Sequence, residues 1–522
     1  MRAFAHAARR QDIAARGLAR RASTMSAVHR LDSDSPVASM EELMSFCRSR
    51  AIILESSGVY GGAATTYDFG PVGAQLKKNI VDMWWRDFVE NRDDVAPLDT
   101  GVILNPAVWR GSGHVEEFTD PLTQCETCKR RFRADKLLEE ADGGAEHWDG
   151  KTLEEMGAAL VALGVACPSC GAKAEAGLGT PRPFNLLFET SIGPVQDGSS
   201  TAFLRPETAQ GALVQGPLVL SLTRARLPAG LAQVGKSFRN EIAVGQSLFR
   251  TREFEQAEIQ VFCEPESSGD LLQQWVEDCN TWLVDRLGLT PSRIRRRVHE
   301  ESELAHYALA TTDIEFNYPF GWGELWGIAN RGKYDLLRHE AASGQDMRFR
   351  DPRDGGRTAF HPFVVEPALG VGRLVLAVLS DCLVTEAAPA AAKGKKQAPG
   401  RLVLRVPDEI APSRAAVLPL MNKDGMPERA AEIAAALRRM GAGGVQVDTS
   451  GSIGKRYRRQ DEVGTPLCVT VDYTTLEDGT VTVRCRDTMR QARLSVADIE
   501  DAIGPRGLTR DKLQGVFATV VR

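Results

Sequence analysis

The sequence predicts an α+β fold in two folded parts, and three observations carry that reading. From Gln233 to Phe262 the residues alternate with the period of two paired strands around a Gly-containing loop at Gly245. An Ala/Lys/Pro/Gly-rich stretch, Glu386 to Gly400, has no apolar period and reads as a linker over 385–400. Beyond it, over 401–522, short strand-like runs alternate with helical ones, the pattern of a compact α/β unit. At 522 residues the chain is too long for one ordinary domain.

The first 24 residues carry six arginines against one acid and much alanine. That composition is expected of a transit peptide for a mitochondrion or plastid, or of a disordered basic tail. The bias ends at Met25, so a second start there would leave a cytoplasmic form. Comparing mature N-termini from organelles and cytosol tests this; one N-terminus in both would remove the two-start idea. Residues 39–384 are expected to form one large unit.

In the hairpin, Arg250, Arg252, Phe254, Gln256, Glu258 and Gln260 share one parity, with Ala257, Ile259 and Val261 opposite; Arg239 and Glu241 share a parity in the first half. A surface hairpin usually shows Thr, Ser and Lys to water. Three arginines, two carboxylates and a phenyl ring together suit a planar anionic ligand carrying a cation nearby. A half-buried hairpin with surface ion pairs is the other reading. After the linker, Leu402–Val406, Gly444–Asp448, Leu467–Asp472 and Val481–Arg486 read as strands, and Pro427–Met440 as a helix ended by Gly441. In Ile453–Gly464, Lys455, Arg456, Arg458 and Arg459 surround Tyr457, which suits single-stranded RNA or a solvated helix face equally.

Cys125, Cys128, Cys167 and Cys170 form two CxxC pairs in an insertion over 125–170, the spacing of one closed, structural four-thiolate zinc site, with four free thiols as the alternative. The other six cysteines show no such spacing, and a disulfide framework is not expected. A net charge of −5 gives no global attraction to nucleic acid. No apolar run approaches a membrane span, so no membrane partner is expected.

The motifs themselves go further. SFRNEI and FRTREFEQAEIQVF, around Arg239 and Phe254, resemble motif 2 of the class II aminoacyl-tRNA synthetases in the form found in glycyl-tRNA synthetases. Seven further blocks keep that family's order: Val59–Trp85 (the motif 1 region), Val108–Pro121, Phe132–Glu140, Leu204–Val214, His306–Phe316, Gly321–Leu336 and Glu366–Leu379. The resemblance implies a class II antiparallel sheet with flanking helices, followed by a C-terminal α/β anticodon-binding domain at 401–522. It implies ATP-dependent ligation of glycine to the 3′ end of glycine tRNA through a glycyl-adenylate, with ATP and Mg2+. Motif 1 implies a homodimer.

By the same resemblance, Arg239 and Arg373 are the catalytic arginines, on the α-phosphate and on the far side of the nucleotide. Asn240, Glu241, Phe249, Arg250, Arg252, Phe254, Glu324, Leu325 and Gly370 complete the ATP site. Glu241 lies on the adenine or its amino group, Phe254 stacks on the adenine, Arg250, in the loop, reaches the γ-phosphate or adenine end, and Glu324 and Glu241 are placed for magnesium or nucleotide. Glycine is expected among Glu207, Glu258 and Glu366 through its ammonium, with Arg133, Gln256 and Ala368 around it. Three converging carboxylates repel one another unless a cation is present. One departure stands out: the family's Glu-Pro-Ser is here Glu366-Pro367-Ala368, so a hydroxyl beside the glycine α-carbon is missing. Two rivals remain, the same fold serving another amino acid and a non-catalytic nucleic-acid-binding relative.

Overall fold

The computed structural model describes residues 34–36, 39–62, 66–144, 148, 151–173, 177–194, 200–242, 245–387, 400–504, 507, 508 and 513. The basic leader, Met25 and most of the linker (388–399) lie outside the described residues.

The large unit is built on a seven-stranded sheet. In chain order its strands are β1 (Val95–Pro97), β2 (Ala229–Phe238), β3 (Glu253–Cys263), β4 (Ile294–Val298), β5 (Ala310–Tyr318), β6 (Gly321–Gly332) and β7 (Phe363–Gly370). Across the sheet they run β4-β5-β6-β7-β3-β2-β1. All neighbours are antiparallel except the edge pair β2 and β1. The helices that position the site are α1 (Met40–Ser49), α2 (Pro71–Trp85), α3 (Ala209–Thr223), α4 (Ser268–Thr281) and α5 (Val371–Cys382). Pro71 opens α2 at a position that needs no N–H donor.

Ala257, Ile259 and Val261 of β3 join a core shared with α2, α4 and α5, where the Phe88 ring packs 5.4–6.0 Å from Trp275, Trp282 and Trp326. One face of the sheet is thus filled by helices. The opposite parity of β3 is left for polar side chains. The hairpin registers Gln233 against Glu258, but its strands stop at Phe238 and start again at Glu253. Arg239, Glu241, Arg250 and Arg252 therefore lie in the connecting loop and not on regular strand; Ser247–Phe249 forms a short 3-10 turn there.

The cysteine insertion is a module of its own. Thr119–Gln124 pairs with Arg131–Arg133 and Arg182–Asn185, and two short helices close a small core around Leu138, Trp148, Met156 and Leu160.

The smaller unit has a five-stranded sheet, β8 (Ala415–Pro419), β9 (Val445–Val447), β10 (Leu467–Val471), β11 (Thr480–Cys485) and β12 (Gln491–Ser495), in the order β9-β8-β10-β11-β12. Its first three strands are parallel and its last two antiparallel. Helix α6 (Met426–Arg439) buries Ala430, Ile433, Ala434 and Leu437 on one face of this sheet, and α7 (Ile453–Glu462) sets Ile453 and Tyr457 on the other.

Two expectations are corrected here. The strand expected at Leu402–Val406 forms over Arg401–Leu404, but it pairs with Leu383–Glu386, and Leu404, Val406 and Ile410 join the large core. Apolar burial thus draws the start of the 401–522 region into the large unit, and the smaller core begins at Ala415. The basic run on α7 is not a free RNA surface. Arg456 is buried, donating to the carbonyl oxygens of Pro419 and Thr449 and to Asn422. Tyr457 bonds Thr470, and Arg459 pairs with Asp448 at 2.8 Å. Lys455 and Arg458 of that run are exposed, and Arg459 is half-buried. No helix among the described residues is long and apolar enough to cross a membrane.

Candidate active site

The polar parity of β3 is buried rather than wet: Gln256 is 8%, Glu258 2% and Gln260 1% exposed. Buried polar groups need partners, and those present come from distant segments. Glu258 accepts from the Thr208 hydroxyl at 2.5 Å and from the Gln256 amide at 2.6 Å. Gln260 donates to Glu366 at 2.7 Å. Arg331, at the end of β6, donates to Glu366 at 2.9 Å and forks onto Asp335 at 2.8 and 2.9 Å. Its guanidinium lies 3.7 Å from Glu207 and 3.8 Å from the centre of the Tyr307 ring. Glu207 in turn sits 3.6 Å from His114 and accepts from Gln210 at 3.0 Å.

The structure therefore brings Glu207, Glu258, Glu366 and Gln256 into one buried network. Burial alone would raise Glu207, but His114 and Arg331 outweigh it and hold that carboxyl well below its usual range. Glu258 has no ion-pair partner in contact, and burial, then the Glu366 and Glu207 charges, outweigh the more distant Arg331 and push it up to about 8. Glu366 is also raised, by burial first, despite Arg331. The cluster holds more carboxylate than cation, which suits an entering ammonium. Ala368 is half-buried and stands between Glu258 of β3 and Gly327 of β6 in the register of the sheet.

Beyond this pocket lie the arginines. Arg239 donates to the Pro206 carbonyl at 3.0 Å, and its guanidinium lies 5.3 Å from the Phe118 ring and 5.4 Å from the Phe254 ring. Arg373, on the first turn of α5, pairs with Glu324 at 2.9 Å and covers Phe249 at 4.4 Å. Phe249 packs edge-on against Tyr318 and Phe320. Among the described residues, Glu241 Oε2 and Gln256 Oε1 are buried without a hydrogen-bond partner; Glu241 lies 4.0 Å from Arg250, and its carbonyl accepts from Arg252 at 3.3 Å. Unpartnered buried oxygens are what a ligand-binding surface leaves open.

Several of the expected site residues also have structural contacts in the fold. Arg133 is held between Asp120 at 3.0 Å and Asp135 at 2.5 Å, which ties the cysteine module together. Leu325 is buried in the large core, so its side chain cannot line a nucleotide site and only its backbone remains. Gly370 is the residue before α5, and a Cβ there would press on the Arg373 side chain at 3.3 Å. The Asn240 backbone N–H bonds the Leu186 carbonyl at 2.8 Å, fixing the loop.

Sequence reasoning missed Arg331, Thr208, His114, Gln210, Asp335, Tyr307 and Asp313. The signal for Arg331 was present: an arginine within the apolar strand GIANRG, with its nearest acid four residues on. Asp313 stands beside Glu324: their Oδ1 and Oε1 atoms each lie 3.5 Å from where a Cβ on Gly327 would be. Burial, then Glu324, pushes Asp313 up to about 6, while Arg373 holds Glu324 down.

At the insertion, Cys125 and Cys170 sulfurs are 3.6 Å apart, Cys128 and Cys167 3.7 Å, and all four lie within 4.8 Å of one another. Backbone N–H groups of Cys128 and Thr127 pull the Cys125 thiol down to about 6.

Comparison with known proteins agrees with this geometry. Residues 195–382 match the family described as the tRNA synthetase class II core domain (G, H, P, S and T). Residues 414–505 match the family described as the anticodon binding domain. The glycine–tRNA ligase of Lysinibacillus sphaericus (strain C3-41) is 44% identical over 465 residues, 88% of this chain and 97% of that protein. The enzyme of the same name from Clostridium perfringens (strain 13 / Type A) is 44% identical over 468 residues, covering 89% and 97%, and that of Bacillus anthracis 43% over 465, covering 88% and 98%.

Proposed function

The chain belongs to the glycine–tRNA ligases, and on that footing we propose that it joins glycine to glycine tRNA at the expense of ATP. In the first step the glycine carboxylate attacks the α-phosphorus of ATP, giving glycyl-adenylate and pyrophosphate. In the second a ribose hydroxyl at the tRNA 3′ end attacks the adenylate carbonyl and AMP leaves. The observation that carries the reading is the buried carboxylate pocket set beside two arginines. Glycine has no side chain to read, so affinity must come from its two charged ends. Glu207, Glu258 and Glu366 take the ammonium. Arg239 takes the carboxylate and α-phosphate, where charge builds in the transition state. Phe254 and Arg373 hold the adenine, Glu241 meets its amino group, and Arg250 and Arg252 serve the outer phosphates. Positioning and charge stabilisation suffice, with no protein nucleophile.

Magnesium fits the donor set at the far end: Glu324 and Asp313 offer carboxylate oxygens around Gly327, and this ion is usually held by one or two carboxylates and substrate phosphates. When bound it supplies charge neutralisation on the phosphate oxygens.

Pyrophosphate exchange by protein lacking residues 1–24, with glycine, alanine and serine compared, tests the reading. Exchange with glycine alone supports it; a folded protein that exchanges with none of them points to a non-catalytic relative. The same assay tests position 368. Ala368→Ser places a hydroxyl beside Glu258, and is expected to strengthen glycine binding or alanine rejection by about 1 kcal/mol, several-fold. Unchanged values for both would remove any role for the missing hydroxyl.

The four thiols fit zinc. Bonds of about 2.3 Å in a tetrahedral site place the sulfurs about 3.8 Å apart, close to the separations found. One zinc per chain, lost in Cys128→Ser, is expected by metal analysis; protein purified without chelator but free of zinc would oppose it. A homodimer is supported by apolar surface: Val59 and Tyr60 are 92% and 90% exposed, and Leu218 and Leu222 make a stripe along α3 at 56% and 74%. Light scattering at twice the 56.9 kDa chain mass is expected, and a monomer would exclude it.

A further inference from the structure

The charge count in the glycine pocket does not close. Glu207, Glu258, Glu366 and Asp335 are four buried carboxyl groups around one guanidinium, and Arg331 gives two of its hydrogen bonds to Asp335 and one to Glu366. Glu207 faces His114 at 3.6 Å and Arg331 at 3.7 Å. Glu258 is the group left over. Its two oxygens meet only neutral donors, the Thr208 hydroxyl and the Gln256 amide. The charges facing it are Glu366 from β7, Glu207 from the segment before α3, Arg331 from the end of β6, and Arg205. Arg205 spends its hydrogen bonds on the carbonyl oxygens of Thr100 and Lys236 instead of on Glu258. Its own strand adds the neutral Gln256 and Gln260. A carboxylate buried beside two others, with no cation of its own, keeps a proton instead.

Building on the glycine reading above, we propose that glycine enters this pocket in exchange for a proton. In the empty enzyme Glu258 is the neutral acid; the incoming ammonium supplies the missing charge, and the carboxyl proton leaves to solvent. The balance is one O–H bond broken at Glu258, one proton released and one ion pair formed, with no other bond changed. Glu258 rather than Glu366 gives up the proton, because Glu366 already holds Arg331 at 2.9 Å. The raised Glu258 value, about 8, sets where the exchange shows. A group protonated in the free enzyme and ionised in the complex makes affinity rise with pH until the free-state value is passed.

The test is calorimetry of glycine binding to the full-length enzyme in phosphate and in Tris, whose ionisation enthalpies differ. Most of one proton released per glycine is expected near pH 7, and little of one near pH 9. Below about pH 7.5 the affinity for glycine should rise about tenfold per pH unit. Thr208→Val removes a donor that stabilises the ionised form. It should move the bend of the pH profile upward, whereas a purely structural threonine would change affinity without moving the bend. Glycine binding whose heat is the same in both buffers near pH 7 would overturn the proposal, and so would proton release with the Thr208→Val bend unmoved. An enzyme that shows neither glycine heat nor glycine-dependent exchange would instead count against the glycine reading itself.

Discussion

Arg331→Leu is expected to destabilise the large unit by about 3–5 kcal/mol, the cost of leaving buried carboxylates without their cation. Arg331 is 1% exposed and bonds Asp335 and Glu366 while standing 3.7 Å from Glu207. Leucine would keep some packing against Tyr307 but would supply no charge. Asp335, held low by Arg331 against its burial, would lose the main reason it is ionised. Denaturant unfolding reads the loss as an earlier first transition, and pyrophosphate exchange should show a raised glycine KM. Adding Asp335→Asn should recover about 1–3 kcal/mol, because the second change removes one of the stranded charges. A loss below about 1 kcal/mol with an unchanged glycine KM would mean that the pocket is organised by something other than this guanidinium.

That residue also marks how far the sequence could be read. Strand period exposes which side chains share a face, and it put Gln256, Glu258 and Gln260 opposite Ala257, Ile259 and Val261, as the sheet has them. Period does not reveal what covers that face. Arg331 meets acids 4, 35 and about 124 positions away, and only the first is local in sequence. The cysteine pairs were legible because two thiolates at turn spacing carry their own geometry, and the helix ending near Met440 because its apolar stripe and Gly441 lie within one segment. Helix α7 misled for the opposite reason. Charged residues at helical spacing read as solvated, but Arg456 reaches two carbonyl oxygens at the strand ends and its burial is satisfied there. Alternation alone also runs Arg252 into the strand, since it can persist in sequence after the ladder ends at Glu253, whereas the family resemblance sets Arg250 in the loop.

Arg239→Gln should lower kcat for pyrophosphate exchange by about 10²–10³, the usual cost of removing one preorganised donor from a developing charge. The structure makes this variant informative because Arg239 is only half-buried and its side chain gives one hydrogen bond to protein, to the Pro206 carbonyl. Glutamine can still reach that neighbourhood as a donor, so folding stability should change by no more than about 1 kcal/mol. The rings of Phe118 and Phe254 flank the guanidinium at 5.3 and 5.4 Å and fix its plane without neutralising it, leaving the charge for a ligand. Arg239→Lys separates charge from geometry. An ammonium restores the charge but not the two-pronged grip on a phosphate or carboxylate, so its kcat should fall between the parent and the glutamine variant. Were the arginine to bind ground state and transition state alike, the glycine and ATP KM values would rise while kcat stayed put. A glutamine variant that keeps kcat within about threefold of the parent would shift the α-phosphate role to Arg373.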